Sequence, residues 1–264
     1  MKLKWYGTAS ILLESGETRL LFDPYLHTFA QSAPVPLAEA RTANAIFITH
    51  PHLDHFGDVD AFSEGRRPVY VNERGIRLAR ENGLQAACMR AVRADDEIIV
   101  GDFSVRAYPA LHCRFDAATV LRTLYSPRTW RMLPNTLALL RGAKKFRIRR
   151  SDVLAFSVTA EGRTLLLFGS AGMAAGANYP QGADLLIFPY QGRARMDRAL
   201  QPFLDALRPK AVAIDHFDDA FPPISRQVDA RRFIPTVQSR LPGARTLVPA
   251  QNIWYDVPTL SPAP

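Results

Sequence analysis

The amino-acid sequence predicts a mixed α/β fold of the α+β kind, with strands and helices in both halves of one continuous domain. Short apolar runs separated by turn residues fill the first quarter of the chain, and helical and strand patterns alternate after it. The same alternation returns after residue 150. No sequence repeat, low-complexity tract or linker divides the 264 residues, so residues 1–264 are predicted to form a single domain.

The first half is predicted to open with a β-meander. The runs KLKWYG, SILLES and RLLFDP are typical of strands joined by tight turns. After a loop rich in Pro and Ala at residues 33–43, the run NAIFITH is a buried strand that ends on His50. The pattern then predicts a strand at PVYVN, a helix at RGIRLAREN and strands at EIIV and FSVRAYPA.

The second half repeats this alternation. Strands are predicted at VLAFSVT, TLLLFGS and DLLIFPY, followed by an amphipathic helix at MDRALQPFLDALRP and a strand at KAVAIDH. The segment DARRFIPTVQSRL is predicted to be helical despite Pro235, and ARTLVPA and IWYDV close the chain as strands. The uncharged run at residues 164–183 contains glycines and a proline, so it indicates a strand and a loop and no membrane span.

The formal net charge of +8 is concentrated in one part of the chain, residues 117–150, which we call the basic segment. It carries nine Lys or Arg and no Asp or Glu, which leaves 24 basic and 25 acidic residues elsewhere. Two cysteines, Cys88 and Cys113, are too few for a disulfide framework. Because the N-terminus does not resemble a signal peptide, we expect a cytoplasmic protein, with peripheral membrane attachment as an open alternative.

The stretch THPHLDHFGD, residues 49–58, holds three of the six histidines of the chain. In an extended backbone the side chains of His50 and His52 point the same way, so one metal ion can be bound by both. Asp54 and His55 follow directly, where a turn would direct them at a neighbouring position. Imidazole and carboxylate ligands suit zinc, and they also accept iron or manganese.

Two further histidines occupy places like that of His50. His112 follows the strand FSVRAYPA and His216 follows the strand KAVAID, so all three are predicted at the C-terminal ends of apolar strands. Ligands at strand ends meet at one rim of a sheet, and a metal site is therefore predicted there. His27 lies in a loop after FDPYL and has no such placement.

The motif HPHLDH matches the HxHxDH signature of the metallo-β-lactamase superfamily, and the chain resembles that family over nearly its whole length. The opening WYGTASILLESGETRLLFDP and the segment HFDDAFPP resemble the branch that includes ascorbate-6-phosphate lactonase and the N-acylphosphatidylethanolamine-hydrolysing phospholipase D. The resemblance implies a four-layer αββα sandwich. It also implies two sets of metal ligands: His50, His52 and His112 for the first ion, and Asp54, His55 and His216 for the second.

One position departs from the family pattern. Where two-metal hydrolases of the family carry a bridging Asp, the run TLLLFGSAG places Ser170, and a neutral hydroxyl cannot supply that bridge. Ser170 is predicted, with Asp54, to be a catalytic residue. Three arrangements stay open: two metals bridged only by hydroxide, one metal, or a degenerate site. A plain glycine-rich turn at this place is compatible with all three.

Four residues outside the ligand set are predicted to support it. Asp23 and Asp58 are candidate acceptors for histidine N–H groups, which fix the tautomer of a metal-binding imidazole. Asp218 or Asp219 is predicted to do the same or to contact substrate, and Arg114, two residues after His112, is predicted to support the ligands or contact substrate. Helix capping by Asp58 and a surface turn at Asp218 are the alternative interpretations.

The implied chemistry is hydrolysis. A zinc ion lowers the pKa of its bound water to about 7, so a metal-bound hydroxide is available at neutral pH, with Asp54 ligating the second ion and orienting the nucleophile. The basic segment is predicted to form two short amphipathic helices that fold over the metal rim as a lid. This pattern favours an anionic, partly apolar substrate or an anionic membrane surface, and nucleic acid is less well matched because the segment is as apolar as it is basic.

Three functions are therefore weighed. The first is a metal-dependent hydrolase of phosphodiester or related ester bonds, and the second is a lactonase or amide hydrolase, as for a β-lactam, using the same site. The third is a non-catalytic module that binds membrane or nucleic acid and keeps a structural metal.

Overall fold

The computed structural model describes residues 1–26, 29 and 33–263. Two seven-stranded sheets form its centre, and their strands are numbered in chain order. The first sheet contains β1 (Lys2–Gly7), β2 (Ser10–Ser15), β3 (Thr18–Phe22), β4 (Ala45–Phe47), β5 (Val69–Val71), β6 (Met89–Ala91) and β14 (Trp254–Asp256). The second contains β7 (Glu97–Val100), β8 (Phe103–Ala110), β9 (Val153–Ala160), β10 (Arg163–Phe168), β11 (Leu185–Pro189), β12 (Ala211–Asp215) and β13 (Arg245–Leu247).

The two sheets share one plan. In the first sheet β1, β2 and β3 are antiparallel neighbours, and β4, β5 and β6 continue it in parallel. In the second, β7 to β10 form the antiparallel meander and β11, β12 and β13 follow in parallel. Near the end of the described chain, β14 pairs with β1 and forms one edge of the first sheet.

Helices connect these strands. They are α1 (Leu37–Ala40), α2 (Leu53–Phe56), α3 (Val59–Ser63), α4 (Glu73–Asn82), α5 (Ala117–Leu124), α6 (Pro127–Arg131), α7 (Leu133–Lys145), α8 (Met196–Leu207) and α9 (Phe233–Arg240). Short 3-10 helices span Ala86–Cys88 and Ala230–Arg232. No helix in the described ranges is long and apolar enough to cross a membrane.

The core lies between the sheets and on their outer faces, as the alternation of strand side chains requires. Phe22 and Phe47 of the first sheet meet Phe156 of the second at ring centroid distances of 5.9 and 5.6 Å. Leu21 points the other way and packs in a separate apolar cluster with residues of α3 and α4. Phe203 of α8 contacts aromatic rings of β10 and β11. Helices therefore cover both sheets from outside, which is the four-layer αββα arrangement that the family resemblance implies.

The structure corrects several local predictions. The loop predicted at residues 33–43 contains α1, and the stretch that follows His52 forms α2 and α3, which are too short to show a helical period. The basic segment forms three helices where two were predicted, because Pro127 and Pro134 lie in the first turns of α6 and α7. Proline is tolerated there, since the first N–H groups of a helix have no partner within the helix.

Candidate metal centre

Strand ends deliver the candidate ligands to one rim. His50 and His52 follow β4, Asp54 and His55 lie in α2, and His112 comes two residues after β8. His216 comes directly after β12 in a left-handed backbone conformation with φ of 55°, and its N–H donates to the carbonyl of Thr8 at 2.7 Å. Positive φ is uncommon outside glycine, and this hydrogen bond holds the backbone of His216 in that conformation.

His50, His52 and His112 form the first cluster, which we call the imidazole group. One nitrogen of each ring lies within 4.8 Å of the corresponding atoms of the other two. Nε2 of His50 is 3.1 Å from Nδ1 of His52. A tetrahedral zinc ion with Zn–N bonds near 2.0–2.1 Å separates neighbouring ligand atoms by about 3.3 Å. The spacing and the donor set therefore fit a metal ion.

Asp54, His55 and His216 form the second cluster, which we call the carboxylate group. Their ligand atoms also lie within 4.8 Å of one another. Oδ2 of Asp54 is 3.2 Å from Nε2 of His55 and 3.1 Å from Nε2 of His216. The rings of His50 and His55 approach to 3.9 Å between centroids, so the two groups are adjacent.

A hydrogen-bonded pair behind the ligands fixes their orientation. The hydroxyl of Thr49 donates to Oδ2 of Asp23 at 2.6 Å, so toward Nδ1 of His50, 3.1 Å away, it can only accept. His50 therefore carries its proton on Nδ1 and presents the lone pair of Nε2 to a metal ion. Nδ1 of His55 also lies 2.9 Å from Oδ2 of Asp23. Asp23 thus contacts a ligand of the carboxylate group directly and one of the imidazole group through Thr49.

Ser170 supports the loop of His112. Its hydroxyl accepts the backbone N–H of Cys113 at 2.9 Å, and the carbonyl of Cys113 lies 2.9 Å from Nδ1 of His112. That contact places the proton of His112 on Nδ1 and leaves Nε2 for a metal ion. Ser170 therefore stands two residues past β10, beside the ligands, in a supporting position.

Burial keeps the imidazole group neutral. It holds the pKa of His50 well below the ordinary value of a histidine, and the nearby rings of His55 and His52 add to the effect. It also lowers the pKa of His52 to about 4 and lowers that of His112. Neutral imidazole is the form that binds a metal ion, so at neutral pH these three rings need lose no proton to do so.

The carboxylate group has the opposite charge state. Burial lowers the pKa of His55, but the carboxylates of Asp54 and Asp23 outweigh burial and raise that pKa to about 10. Burial opposes a charged His216 as well, and the hydrogen bond to Asp54 overcomes it and raises the pKa of His216. Burial raises the pKa of Asp54, but together His55 and His216 outweigh it and hold that pKa well below its usual range. These residues form a buried ion-pair network.

Three other predicted residues have contacts of a different kind. Asp58 accepts the backbone N–H of Leu26 at 2.9 Å and makes no side-chain cap on α3. Asp218 accepts the N–H of Thr8 with both carboxylate oxygens at 3.0 Å, so it supports the loop that also holds His216. The side chain of Arg114 is exposed, and its carbonyl accepts from Nε of Arg193 at 3.0 Å.

The sixth histidine of the chain, His27, lies outside the described residues.

Sequence reasoning missed two residues of the site. Thr49 precedes the histidine motif directly, and its place at the end of the strand NAIFIT was the available signal. Asp215 precedes His216 and is only 1% exposed, and among the described residues neither of its carboxylate oxygens has a hydrogen-bond partner. Burial raises the pKa of Asp215 to about 7. The sequence IDH shows that Asp215 precedes His216, but it does not show that the carboxyl group is buried, because burial depends on the packing of β12.

The basic segment packs against residues that neighbour the candidate ligands, and we call residues 50–55 the metal loop. A Cβ atom at Gly142 of α7 would lie 2.6 Å from Cδ2 of Leu53, the residue between His52 and Asp54. Arg128 of α6 forms an ion pair with Asp219 at 2.6 Å, in the loop that follows His216. The glycine allows the close approach of α7 to Leu53. The ion pair holds α6 to the loop that follows His216.

Comparison with known proteins gives a family. A profile described as the beta-lactamase superfamily domain matches residues 18–217. A metal-dependent hydrolase of Pyrobaculum arsenaticum is 31% identical over 116 residues, which cover 42% of this chain and 51% of that protein. The chain thus spans about half the length of the curated relatives that it matches.

Solved structures share the fold. Igni18, a metallo hydrolase of Ignicoccus hospitalis, superposes with a TM-score of 0.62 at 15% identity, covering 97% of this chain and 98% of its own. The metallo-beta-lactamase fold protein YhfI of Bacillus subtilis gives a TM-score of 0.60 at 14% identity, covering 96% and 98%. At this identity the likeness establishes the fold alone.

Proposed function

This chain belongs to the beta-lactamase superfamily, and on that premise we propose that it is a metal-dependent hydrolase that cleaves phosphodiester or related ester bonds. The observation that carries the proposal is the pairing of two ligand groups at one rim, His50, His52 and His112 beside Asp54, His55 and His216. Six nitrogen and oxygen donors in two adjacent groups suit zinc, with manganese or iron also accepted. The relatives named metal-dependent hydrolases support the same reaction class.

The chemistry divides between the ions and the chain. Bound ions of this kind lower the pKa of coordinated water to about 7 and stabilise charge on the oxygens of the bond under attack. Asp54 is ionised at any neutral pH because its pKa lies well below the usual range, so it can accept a hydrogen bond from an attacking water and orient it. Asp23 and Thr49 hold the His50 and His55 rings so that their positions do not change during the reaction.

Positive charge near the imidazole group favours an anionic substrate. Nε of Arg150 donates to the carbonyl of His112 at 3.1 Å, and Nε of Arg193 donates to that of Arg114 two residues later. Both Arg114 and Arg150 are exposed. A phosphodiester carries a charge that such guanidinium groups attract, whereas a lactone without a phosphate or other acidic group does not.

The test is a set of parallel assays on the purified full chain. Bis(p-nitrophenyl) phosphate, a panel of lactones and a chromogenic β-lactam are supplied with zinc, manganese or iron(II), and His52→Ala serves as the matched variant. We expect hydrolysis of the phosphodiester that is lost in His52→Ala. Hydrolysis of the lactones or the β-lactam alone would contradict the proposal and indicate a lactonase or amide hydrolase. If deletion of the basic segment abolished a binding function that His52→Ala preserved, while no substrate was cleaved, a non-catalytic module would be indicated.

A further inference from the structure

The basic segment, together with Phe115 just before it, exposes an unusual amount of apolar side chain. The structure describes 14 exposed large hydrophobic residues, and nine of them fall within residues 115–140. They are Phe115, Val120, Leu121, Leu124, Tyr125, Trp130, Leu133, Leu137 and Leu140. Scattered exposed apolar residues are normal in proteins, but a contiguous set indicates a surface that contacts something else.

The three helices of this segment turn threonine side chains inward, and α7 also buries Leu139. The Thr119 hydroxyl is buried in α5, and the Thr129 hydroxyl donates to the carbonyl of Thr123 at 2.7 Å. Thr136 of α7 is buried and its hydroxyl donates to the carbonyl of Thr129 at 3.2 Å. Threonines thus join the helices to one another, and α5 contains no buried residue at all. A helix that rests on a protein core buries an apolar stripe, whereas Leu139 is the single large apolar side chain buried within α5, α6 and α7.

The apolar side chains follow helical stripes on the outside. In α5, Val120, Leu121 and Leu124 have the spacing of one face, and in α7 Leu133, Leu137 and Leu140 have it as well. The indole of Trp130 donates to the carbonyl of Leu124 at 3.2 Å, which places α6 against the end of α5. The exposed leucines therefore belong to one joined set of helices and are not isolated.

Cations border these stripes. Lys144 lies one turn beyond Leu140 on the same face of α7, next to the exposed Arg141 and Lys145. Of the nine basic side chains in the segment, Arg128 forms an ion pair with Asp219, and the described residues supply no such partner for the other eight. The surface therefore combines exposed apolar stripes with positive charge that acidic side chains do not neutralise.

We propose that this surface, formed by α5, α6 and α7, docks on the anionic face of a phospholipid bilayer. Apolar side chains enter the boundary between head groups and acyl chains, and the bordering lysines and arginines attract the anionic head groups. A second copy of the chain is a poorer occupant because it brings the same positive charge. Nucleic acid would match the charge but leave the leucine stripes in water.

The docked surface adjoins the metal rim. The ring of Phe115, 60% exposed, lies 6.2 Å from that of the metal-ligand candidate His112, and α7 contacts Leu53 of the metal loop through Gly142. Docking would therefore place the rim next to the lipid surface. The proposal does not depend on which bond the site cleaves.

Co-sedimentation of the full chain with vesicles tests the proposal. Vesicles of phosphatidylcholine alone are compared with vesicles that also contain phosphatidylglycerol, at low and at physiological salt. We expect binding to the anionic vesicles only, weakened by salt because the attraction is electrostatic. Equal binding to both vesicle types, or none to the anionic ones, would overturn the proposal.

Two variants and a matched control locate the surface. Leu121→Gln with Leu124→Gln, and Lys144→Gln with Lys145→Gln, should each weaken binding by about tenfold or more, since one basic side chain near an anionic membrane contributes about fivefold. The control is Ile99→Gln with Ile234→Gln, at apolar positions 67% and 48% exposed elsewhere on the surface, and it should bind as the wild type does. Circular dichroism and thermal midpoints verify that each variant is folded.

Three further outcomes would contradict the proposal. One is a dimer in solution that the leucine pair disrupts, without vesicle binding, which would assign the surface to a second copy. Another is that the chain binds duplex DNA more tightly than anionic vesicles at equal salt, and that the leucine pair does not affect this binding. The last is vesicle binding that the leucine pair leaves unchanged. Hydrolysis of a soluble phosphodiester is measured separately, so a failure of vesicle binding does not touch the proposed reaction.

Discussion

The two ligand groups lie side by side, yet they differ in charge. The imidazole group contains three rings that burial keeps uncharged, and hydrogen bonds at Nδ1 of His50 and His112 leave the Nε2 lone pairs of these two rings free for a metal ion. The carboxylate group is an ion-pair network in which His55, with a pKa of about 10, lies between Asp54 and Asp23. One group is already in the form that binds a metal ion, and the other must first give up protons.

Both ligand groups form without an aspartate at position 170. The hydroxyl of Ser170 accepts the N–H of Cys113 and supports the His112 loop. The carboxylate among the six candidate ligands comes from Asp54. We therefore expect the two groups to respond differently to mutation and pH, with the carboxylate group the more sensitive.

The largest effect is expected from Asp54→Ala. Loss of this carboxylate leaves the buried charges of His55 and His216 without their shared partner and removes the group that orients the nucleophile. Phosphodiester hydrolysis should fall more than about 100-fold, with loss of one bound ion per chain. Elemental analysis and steady-state rates measure both. Asp54→Asn, which keeps the shape, is the control, and an active Asn variant with full metal content would show that the charge is not needed.

Thr49→Val tests the support of the imidazole group. The valine keeps the shape but removes the hydroxyl that donates to Asp23 and accepts from His50, so the His50 ring loses its fixed tautomer. The affinity of the imidazole group for a metal ion should fall about 10- to 100-fold. Competition with a chromophoric chelator measures it, and Thr49→Ser, which restores the hydroxyl, should return most of the affinity. Unchanged affinity in Thr49→Val would remove Thr49 from the site.

The pH dependence should separate the two groups. His52 has a pKa near 4, so the imidazole group releases no proton on binding a metal ion at pH 7, and its affinity falls only as the pH drops toward 4. The pKa of His55 is about 10, so His55 must release its proton to bind a metal ion at pH 7, and the affinity of the carboxylate group should rise up to about tenfold per pH unit toward pH 10. Calorimetry in buffers of different ionisation enthalpy counts the protons. Equal release for both ions would contradict the comparison.

Ser170→Ala should have the smallest effect. It leaves the N–H of Cys113 without its acceptor, which costs about 1 kcal/mol of stability, and it removes no ligand. The thermal midpoint should fall by about 2–4 °C while two ions per chain are retained. If the variant lost an ion, Ser170 would have to be counted among the metal-binding residues.

Much of the fold could be predicted because its strands are strongly patterned. EIIV and FSVRAYPA coincide with β7 and β8, and RGIRLAREN falls within α4. The helices α1, α2 and α3 were missed because four or five residues show no period. The proline positions in α6 and α7 misled the prediction, since one proline can end a helix or begin one.

The shared rim of the ligand candidates was predictable for a similar reason. Spacing in HPHLDH and the positions of His112 and His216 after apolar strands are local facts that predict one rim, whereas the division into two ligand sets was implied by the family resemblance. The charge states were not predictable, because they depend on burial and on neighbours such as Asp23, which is distant in sequence from His55. The inward threonines of the basic segment were likewise invisible, since spacing shows the leucine stripe but not the side of the helix that faces the protein.

Metal content measured together with hydrolysis tests the central claim most directly. The purified chain is stripped with a chelator, zinc is returned in steps, and bound metal per chain is compared with the rate on bis(p-nitrophenyl) phosphate. We predict that the stripped chain is inactive and that the rate rises as metal is returned, reaching its maximum at two ions per chain. A stripped chain that hydrolyses the phosphodiester at the full rate would contradict the account.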